Sequence, residues 1–252
     1  MAQQRRNKKE SSGKGWLEPI RLNRFIANSG VCSRRDADKL IEQGKIKVNG
    51  EVITEMGYKV KRSDKVEYEG KSLVPEKKVY LLLNKPKDTV TTSRDPQGRR
   101  TVIDLIKKAS KERVYPVGRL DRNTTGVLMF TNDGDMAKKL AHPSSNVRKI
   151  YHVFLNKPLT KTDFEKIAQG LELEDGFIRP DEISYPEPNE KNQVGIEIHS
   201  GKNRIVRRIF EHVGYKVVKL DRVYFAGLTK KNLNRGHWRF LTDKEVNFLK
   251  ML

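Results

Sequence analysis

A polar, proline-bearing stretch, Val74-Pro75-Glu76-Lys77-Lys78, interrupts the hydrophobic patterning of the chain and sets a boundary that any fold has to respect. The 252 residues exceed the usual size of one domain, so a folded unit is expected on each side of this linker. Upstream, Leu22, Phe25 and Ile26 recur at helical spacing, and Gly30 after Ser29 supplies the left-handed residue that ends such a helix. Ser33 reads as an N-cap with Asp36 three positions on, and Ala37, Leu40 and Ile41 form the stripe of a second helix that stops at Gly44. Ile46 and Val48 then alternate with Lys45 and Lys47, Asn49-Gly50 is a strong two-residue hairpin signal, and Val52 resumes the strand. Residues 19–73 are thus expected to form two helices followed by a hairpin.

Downstream, Val79-Tyr80-Leu81-Leu82-Leu83 reads as a buried strand, and Asn84-Lys85-Pro86-Lys87 as the turn that stops it. Further strands are predicted over Gly126–Thr131, over Lys149–Leu155 and around Val194, Ile196 and Ile198. A short helix is predicted over Asp135–Ala141, and another from a Thr162 cap with Glu165 at N3. A third follows the stripe Ile205, Val206, Ile209, Phe210 and Val213 and ends at Gly214. Interspersed helices and strands over residues 79–252 predict an α+β domain. No fixed-period repeat and no glycine-rich nucleotide loop are present, so neither a solenoid nor an NTP-dependent enzyme is indicated.

Fifty-two Lys and Arg against 32 Asp and Glu leave a formal net charge of +20. Self-repulsion of that size disfavours a compact fold unless a polyanion compensates it, which makes nucleic acid the leading partner. A membrane surface is the rival polyanion, but the chain carries no long apolar span and no basic amphipathic helix with a wide aromatic face. Residues 1–18 place Arg5, Arg6, Lys8, Lys9 and Lys14 among Gln, Asn, Ser and Gly, the composition of a disordered basic tail without the apolar region of a secretory signal. The single cysteine, Cys32, excludes an intramolecular disulfide and a CxxC pair, which suits the reducing cytoplasm. The five histidines show neither HxxxH nor HExxH spacing, so no metal site is expected. With no heptad pattern, a monomer is expected.

One loop stands out. Gly118-Arg119-Leu120-Asp121-Arg122-Asn123-Thr124-Thr125-Gly126 lies between apolar strands, and its flanking glycines can bring backbone close to a ligand. Asp121 is its only acid, and Arg119 and Arg122 beside it favour the ionised form suited to a nucleophile or base. A structural ion pair would read the same way.

The string RLNRFIANSGVCSRRDADKLIEQGKIKVNGEVI closely resembles the S4 RNA-binding domain. That resemblance implies that Arg21, Arg24, Arg34, Arg35 and Lys39 form a basic face that docks an RNA helix or hairpin. Arg35 and Lys39, one helical turn apart, can reach phosphates together. YPVGRLDRNTTGVLMFTNDG in turn resembles the active-site motif of pseudouridine synthases, in the form carried by the S4-domain ribosomal RNA enzymes of the RsuA family. The match continues through LNKPKDTVTTSRDPQGRRTVIDLI, LAHPSSNVRKIYHVFL and GLELEDG, covering nearly all of Lys78–Leu241. GKNRIVRRIFEHVG and RGHWRFL are most similar to the large-subunit (23S) type.

The resemblance implies a mixed, mainly antiparallel sheet and the isomerisation of a uridine in ribosomal RNA, free or in an assembly intermediate, without cofactor. It assigns the initiating carboxylate to Asp121 and base stacking to Tyr151, in Lys149-Ile150-Tyr151. Aligning NRIVRR assigns the basic partner of the aspartate to Arg207, with Arg208 the near miss. Arg119 is a further candidate, an arginine plane that fills the gap left by a flipped base. Two other readings compete: a non-enzymatic ribosome-assembly protein or RNA chaperone relying on the S4 domain, and a DNA-binding regulator using Arg34 and Arg35. The second explains neither the large C-terminal domain nor its acidic loop.

Overall fold

A computed structural model describes residues 18–93 and 95–252. The tail cations Arg5, Arg6, Lys8, Lys9 and Lys14 lie outside the described residues. The chain divides into two compact units, one ending at Lys77 and one spanning Lys78–Leu252.

In the first unit β1 (Ile20–Arg21) leads into α1 (Leu22–Asn28), which packs on α2 (Arg34–Glu42). Ser33 caps α2 as expected, its Oγ accepting from the Asp36 amide at 3.1 Å. The hairpin β2 (Ile46–Val48) and β3 (Glu51–Val52) turns at Asn49 and Gly50, whose φ angles of 55° and 90° are those a two-residue turn of this twist requires. Asn49 also ties the turn to the next loop, accepting from the Lys65 amide at 2.9 Å and donating to Asp64 at 3.1 Å. With β4 (Lys59–Val60), β5 (Val66–Tyr68) and β6 (Lys71–Ser72), the strands form a sheet of order β3-β2-β5-β6 and a separate β1-β4 pair. Leu22, Ile26, Ala37, Ile41, Ile46 and Val48 fill the core. Arg21, Arg34, Arg35 and Lys39 remain exposed and Arg24 is half-buried.

The second unit runs β7 (Tyr80–Lys85), α3 (Val102–Ile106), β8 (Tyr115–Pro116), β9 (Thr125–Thr131), α4 (Gly134–Ala141), β10 (Lys149–Leu155) and α5 (Lys161–Gln169). It continues with β11 (Leu171–Leu173), β12 (Gly176–Ile178), β13 (Glu182–Ser184), β14 (Gln193–Ile198) and α6 (Ile205–His212). Last come β15 (Val217–Phe225), β16 (Leu228–Thr229), β17 (Trp238–Phe240) and α7 (Asp243–Met251). The main sheet has the order β13-β14-β10-β15-β9-β7-β17, with β8 on β9 and β16 on β15. Its described ladders are antiparallel except β9 with β15, giving the mixed, mainly antiparallel sheet of an α+β fold.

The central strands are buried on both faces, which explains their unbroken apolar runs. Leu81, Leu83, Leu128 and Phe130 face a core shared with α3, α5 and α6. Leu82, Val127 and Met129 face a smaller core covered by Met136 and Leu140 of α4 and Leu249 of α7.

Three local expectations need correction. Lys85 is not in a turn: β7 runs to Lys85, which is fully buried, and stops only at Pro86. The cap of α5 is Thr160, whose Oγ accepts from the Asp163 amide at 3.2 Å, rather than Thr162. Capping at Thr160 puts Leu159 and Phe164 at the paired apolar positions flanking the first turn, and both enter the core. Gly126 lies inside β9, where it brings backbone close to another strand: a Cβ there would sit 2.1 Å from the Arg222 carbonyl.

Candidate active site

Asp121 sits on the loop between β8 and β9, and that loop is held from below. Leu120 is buried, and its carbonyl accepts from Thr91 Oγ1 at 2.7 Å. The Thr124 amide closes a turn onto the Asp121 carbonyl at 3.0 Å. Beneath the turn, Lys85 Nζ donates to the carbonyls of Asp121 at 3.0 Å, Arg122 at 3.1 Å and Thr124 at 2.8 Å, and reaches that of Pro86 at 3.2 Å. Burial pushes the Lys85 amine down to about 8, against the pull of Asp121, and Arg235 adds to the depression. The carbonyl cage works the other way, because four acceptors are better met by an ammonium than by a neutral amine.

The other wall is the segment leading into α6. Arg204 adopts a left-handed φ of 48° at the start of that helix, and Arg207 follows one turn later. Arg207 Nε lies 3.7 Å and Arg204 Nη1 3.9 Å from Asp121 Oδ2, ion-pair rather than hydrogen-bond distances. Arg207 Nη1 is anchored on the Val217 carbonyl at 3.0 Å, while its Nε is buried without a hydrogen-bond partner. Desolvation and then Arg204 lower the Arg207 pKa, with Asp121 and Glu211 opposing them. The neighbours expected from sequence to flank the carboxylate do not pair with it: Arg122 turns to Asp88, and Arg119 is exposed. Arg208, the near miss, binds Asp175.

Between these walls lies a cleft of about 160 Å³, well below the roughly 300–1,000 Å³ of drug-sized pockets and suited to one inserted ring. Tyr151 lines it and also packs into the larger core at 8% exposure. Next to it on β10, Lys149 Nζ donates to the carbonyls of Val147 at 3.1 Å and His199 at 2.6 Å. Burial, and then Arg222, push its amine to about 8. Among the described residues Asp121 is the only acid on the lining, against Arg119, Lys149, Lys202, Arg204 and Arg222, a balance that favours a polyanionic ligand.

The fold therefore gathers Asp121, Tyr151, Arg119 and Arg204 around one cleft, with Arg207 behind the carboxylate. Lys85, Arg204, Lys149 and Arg222 escaped sequence reasoning as contributors to the site. Of these, Lys85 left a legible signal, since a residue before proline is biased to extended backbone and would have continued the strand. The S4-region candidates belong to the first unit and are apart from this constellation in sequence. Among the described residues no helix is long and apolar enough to cross a membrane, and no group of three or more His, Cys, Asp or Glu could hold a metal ion.

A small module with exposed cations ahead of an α+β domain with one carboxylate in a positive, ring-sized cleft is the arrangement of an enzyme that acts on a polyanion. Residues 79–212 match the model of the RNA pseudouridylate synthase family, and residues 20–66 that of the S4 domain. The chain is 42% identical over 235 residues to ribosomal large subunit pseudouridine synthase B of Bacillus subtilis, covering 92% of this chain and 96% of the relative. It is 34% identical to the dual-specificity RNA pseudouridine synthase RluF of Escherichia coli K12, over 90% of this chain and 77% of the relative. A crystal structure of a pseudouridylate synthase superposes with a TM-score of 0.65 at 29% identity, covering 91% of this chain and 99% of that one. The chain belongs to the RNA pseudouridylate synthase family. It is an S4-domain enzyme that converts uridine to pseudouridine in RNA, and the reading as a non-enzymatic chaperone gives way.

Proposed function

We propose that the chain isomerises a uridine in ribosomal RNA, in a hairpin of the large-subunit (23S) molecule, and does so as a cytoplasmic monomer. In this reaction the N1–C1′ bond breaks, the base turns, a C5–C1′ bond forms, the C5 proton is lost and N1 takes one up. Asp121 acts beside C1′ and C2′ of the ribose, either by adding to the sugar or by stabilising cationic and glycal-like states. Arg207, assisted by Arg204, orients the carboxylate. Tyr151 stacks on the base, and Arg119 fills the stack that the base leaves. In the region 19–73, ahead of a linker at 74–78, Arg21, Arg24, Arg34, Arg35 and Lys39 hold RNA phosphates.

The observation that carries this reading is the meeting of Asp121, Arg204 and Tyr151 around one small cleft, with Arg207 3.7 Å from the carboxylate. It is tested by tritium release from 23S ribosomal RNA labelled at uridine C5, with wild type and Asp121→Asn side by side. Wild type should release tritium, while Asp121→Asn should lose at least roughly 10³-fold in rate with RNA affinity retained. An Asp121→Asn enzyme that turns over at the wild-type rate removes Asp121 from the mechanism; release from 16S RNA alone reassigns the substrate.

A further inference from the structure

Cations line the cleft in excess, and most have their donors committed. Lys149 Nζ is shared among the carbonyls of Val147, His199 and Ser200. Lys202 holds Asp175, and Arg204 is divided between Asp121 and Glu211. Arg222 is different. Its residue is 2% exposed, yet it belongs to the cleft lining. Nε donates to the Val127 carbonyl at 2.8 Å, and the guanidinium carbon lies 4.6 Å from the centre of the Phe225 ring, itself part of the lining. Nη2 is buried with no hydrogen-bond partner. Native interiors rarely leave such a donor unmet, and one on a residue lining a cleft can be met by an acceptor that enters with a ligand. Arg222 is also the cross-strand partner of Tyr151, at a register shift in the β10–β15 ladder.

We infer that Arg222 Nη2 donates to a carbonyl oxygen of the target uracil and thereby selects uracil over cytosine. This rests on the function proposed above. A guanidinium only donates, so whatever faces it must accept. A phosphate would have to shed its water to reach a group this deep, whereas Arg119 and Arg204 are exposed at the cleft and suit that role better. Uracil meets the requirement twice. Its two carbonyls flank N3, and the half turn that brings C5 to the place of N1 also exchanges O2 with O4. One fixed donor therefore meets a carbonyl before and after the base turns. Cytosine carries an amine in place of O4, so one of its two poses sets donor against donor, an opposition that buried sites reject strongly. Thr124 Oγ1 is likewise buried, unpartnered and on the lining, but a hydroxyl donates or accepts and cannot make this distinction.

The test uses 23S transcripts made with uridine, 4-thiouridine or 2-thiouridine, because sulfur accepts hydrogen bonds more weakly than oxygen. Pseudouridine and its thio counterparts are quantified chromatographically after digestion, for wild type, Arg222→Met and Arg222→Lys. Wild type should convert at least one thio transcript roughly tenfold more slowly than the uridine transcript. Arg222→Met should be slow on all three without that difference, and Arg222→Lys should keep part of it. Wild type indifferent to both sulfurs overturns the inference without any variant, and so does an Arg222→Met enzyme as sulfur-sensitive as wild type. If Arg222→Met does not fold, the wild-type comparison and Arg222→Lys decide. No pseudouridine from wild type on the unmodified transcript overturns the parent function, and this inference with it.

Discussion

The two units use the same residue types in opposite ways. In the first, Arg34, Arg35 and Lys39 stand exposed on a two-helix module, with Lys39 in a loose 3.9 Å contact to Asp36. In the second, Lys85, Lys149, Arg207 and Arg222 are drawn inward, and their nitrogens are set against particular carbonyl and carboxylate oxygens. Exposed cations add affinity that salt screens, whereas buried ones lose hydration and survive only where the fold supplies acceptors. A net charge of +20 is therefore two properties in one chain: an exposed field open to a polyanion, and an internal scaffold that shapes a loop.

The largest effect is expected at Lys85. Lys85→Met should leave the carbonyls of Asp121, Arg122 and Thr124 without their shared donor, at a cost of about 1–3 kcal/mol. The expected result is a melting temperature lower by roughly 4–10 °C and a turnover reduced tenfold or more, with RNA affinity unchanged. A variant of full stability would mean that the loop holds itself. A smaller effect is expected from Arg34→Ala with Arg35→Ala: turnover at saturating RNA should persist, while the slope of log affinity against log salt should flatten by roughly 1.4–1.8. An unchanged slope in binding titrations would remove the pair from the RNA face. The smallest effect concerns Glu245, which caps α7 through Thr242 and binds Arg239 with both oxygens, at 2.6 and 2.8 Å. Arg239 foremost holds its pKa at about 2. Because the folded value lies below the unfolded one, this stabilisation is complete above about pH 4.5 and is lost as pH falls towards 2. Solvent screening limits it to about 1 kcal/mol, and Glu245→Gln should flatten that part of the acid melting profile.

What was legible in the chain follows the range of the forces involved. The α2 cap at Ser33 and the Asn49-Gly50 hairpin are decided by neighbours within a few positions, and the structure has both as expected. Asp121, Tyr151 and Arg207 were singled out by motif, and the structure brings them to one region, although no spacing rule would have joined them. Lys85 looked like any lysine in a polar turn because three of its four acceptors, the carbonyls of Asp121, Arg122 and Thr124, come from the fold rather than from its neighbours. β15 was not foreseen as a strand at all: Lys219, Asp221 and Arg222 blur its alternation, since its polar members are held by tertiary partners. Thr160 and Thr162 offer the same capping signature two positions apart, and only the burial of Leu159 and Phe164 chooses between them.

The pairing of β9 with β15 has a further consequence. These strands carry the two sides of the candidate site, since the Asp121 loop runs into β9 and α6 runs into β15. They meet in parallel, with Gly126 leaving no room between them, and Val127 bonds to an arginine 95 positions further along the chain. Contacts of such long range close late, after the local hairpins have formed. A chain still emerging from the ribosome thus has its acid long before it has the arginines that face it. The lining of the cleft is complete only once translation has passed Phe225.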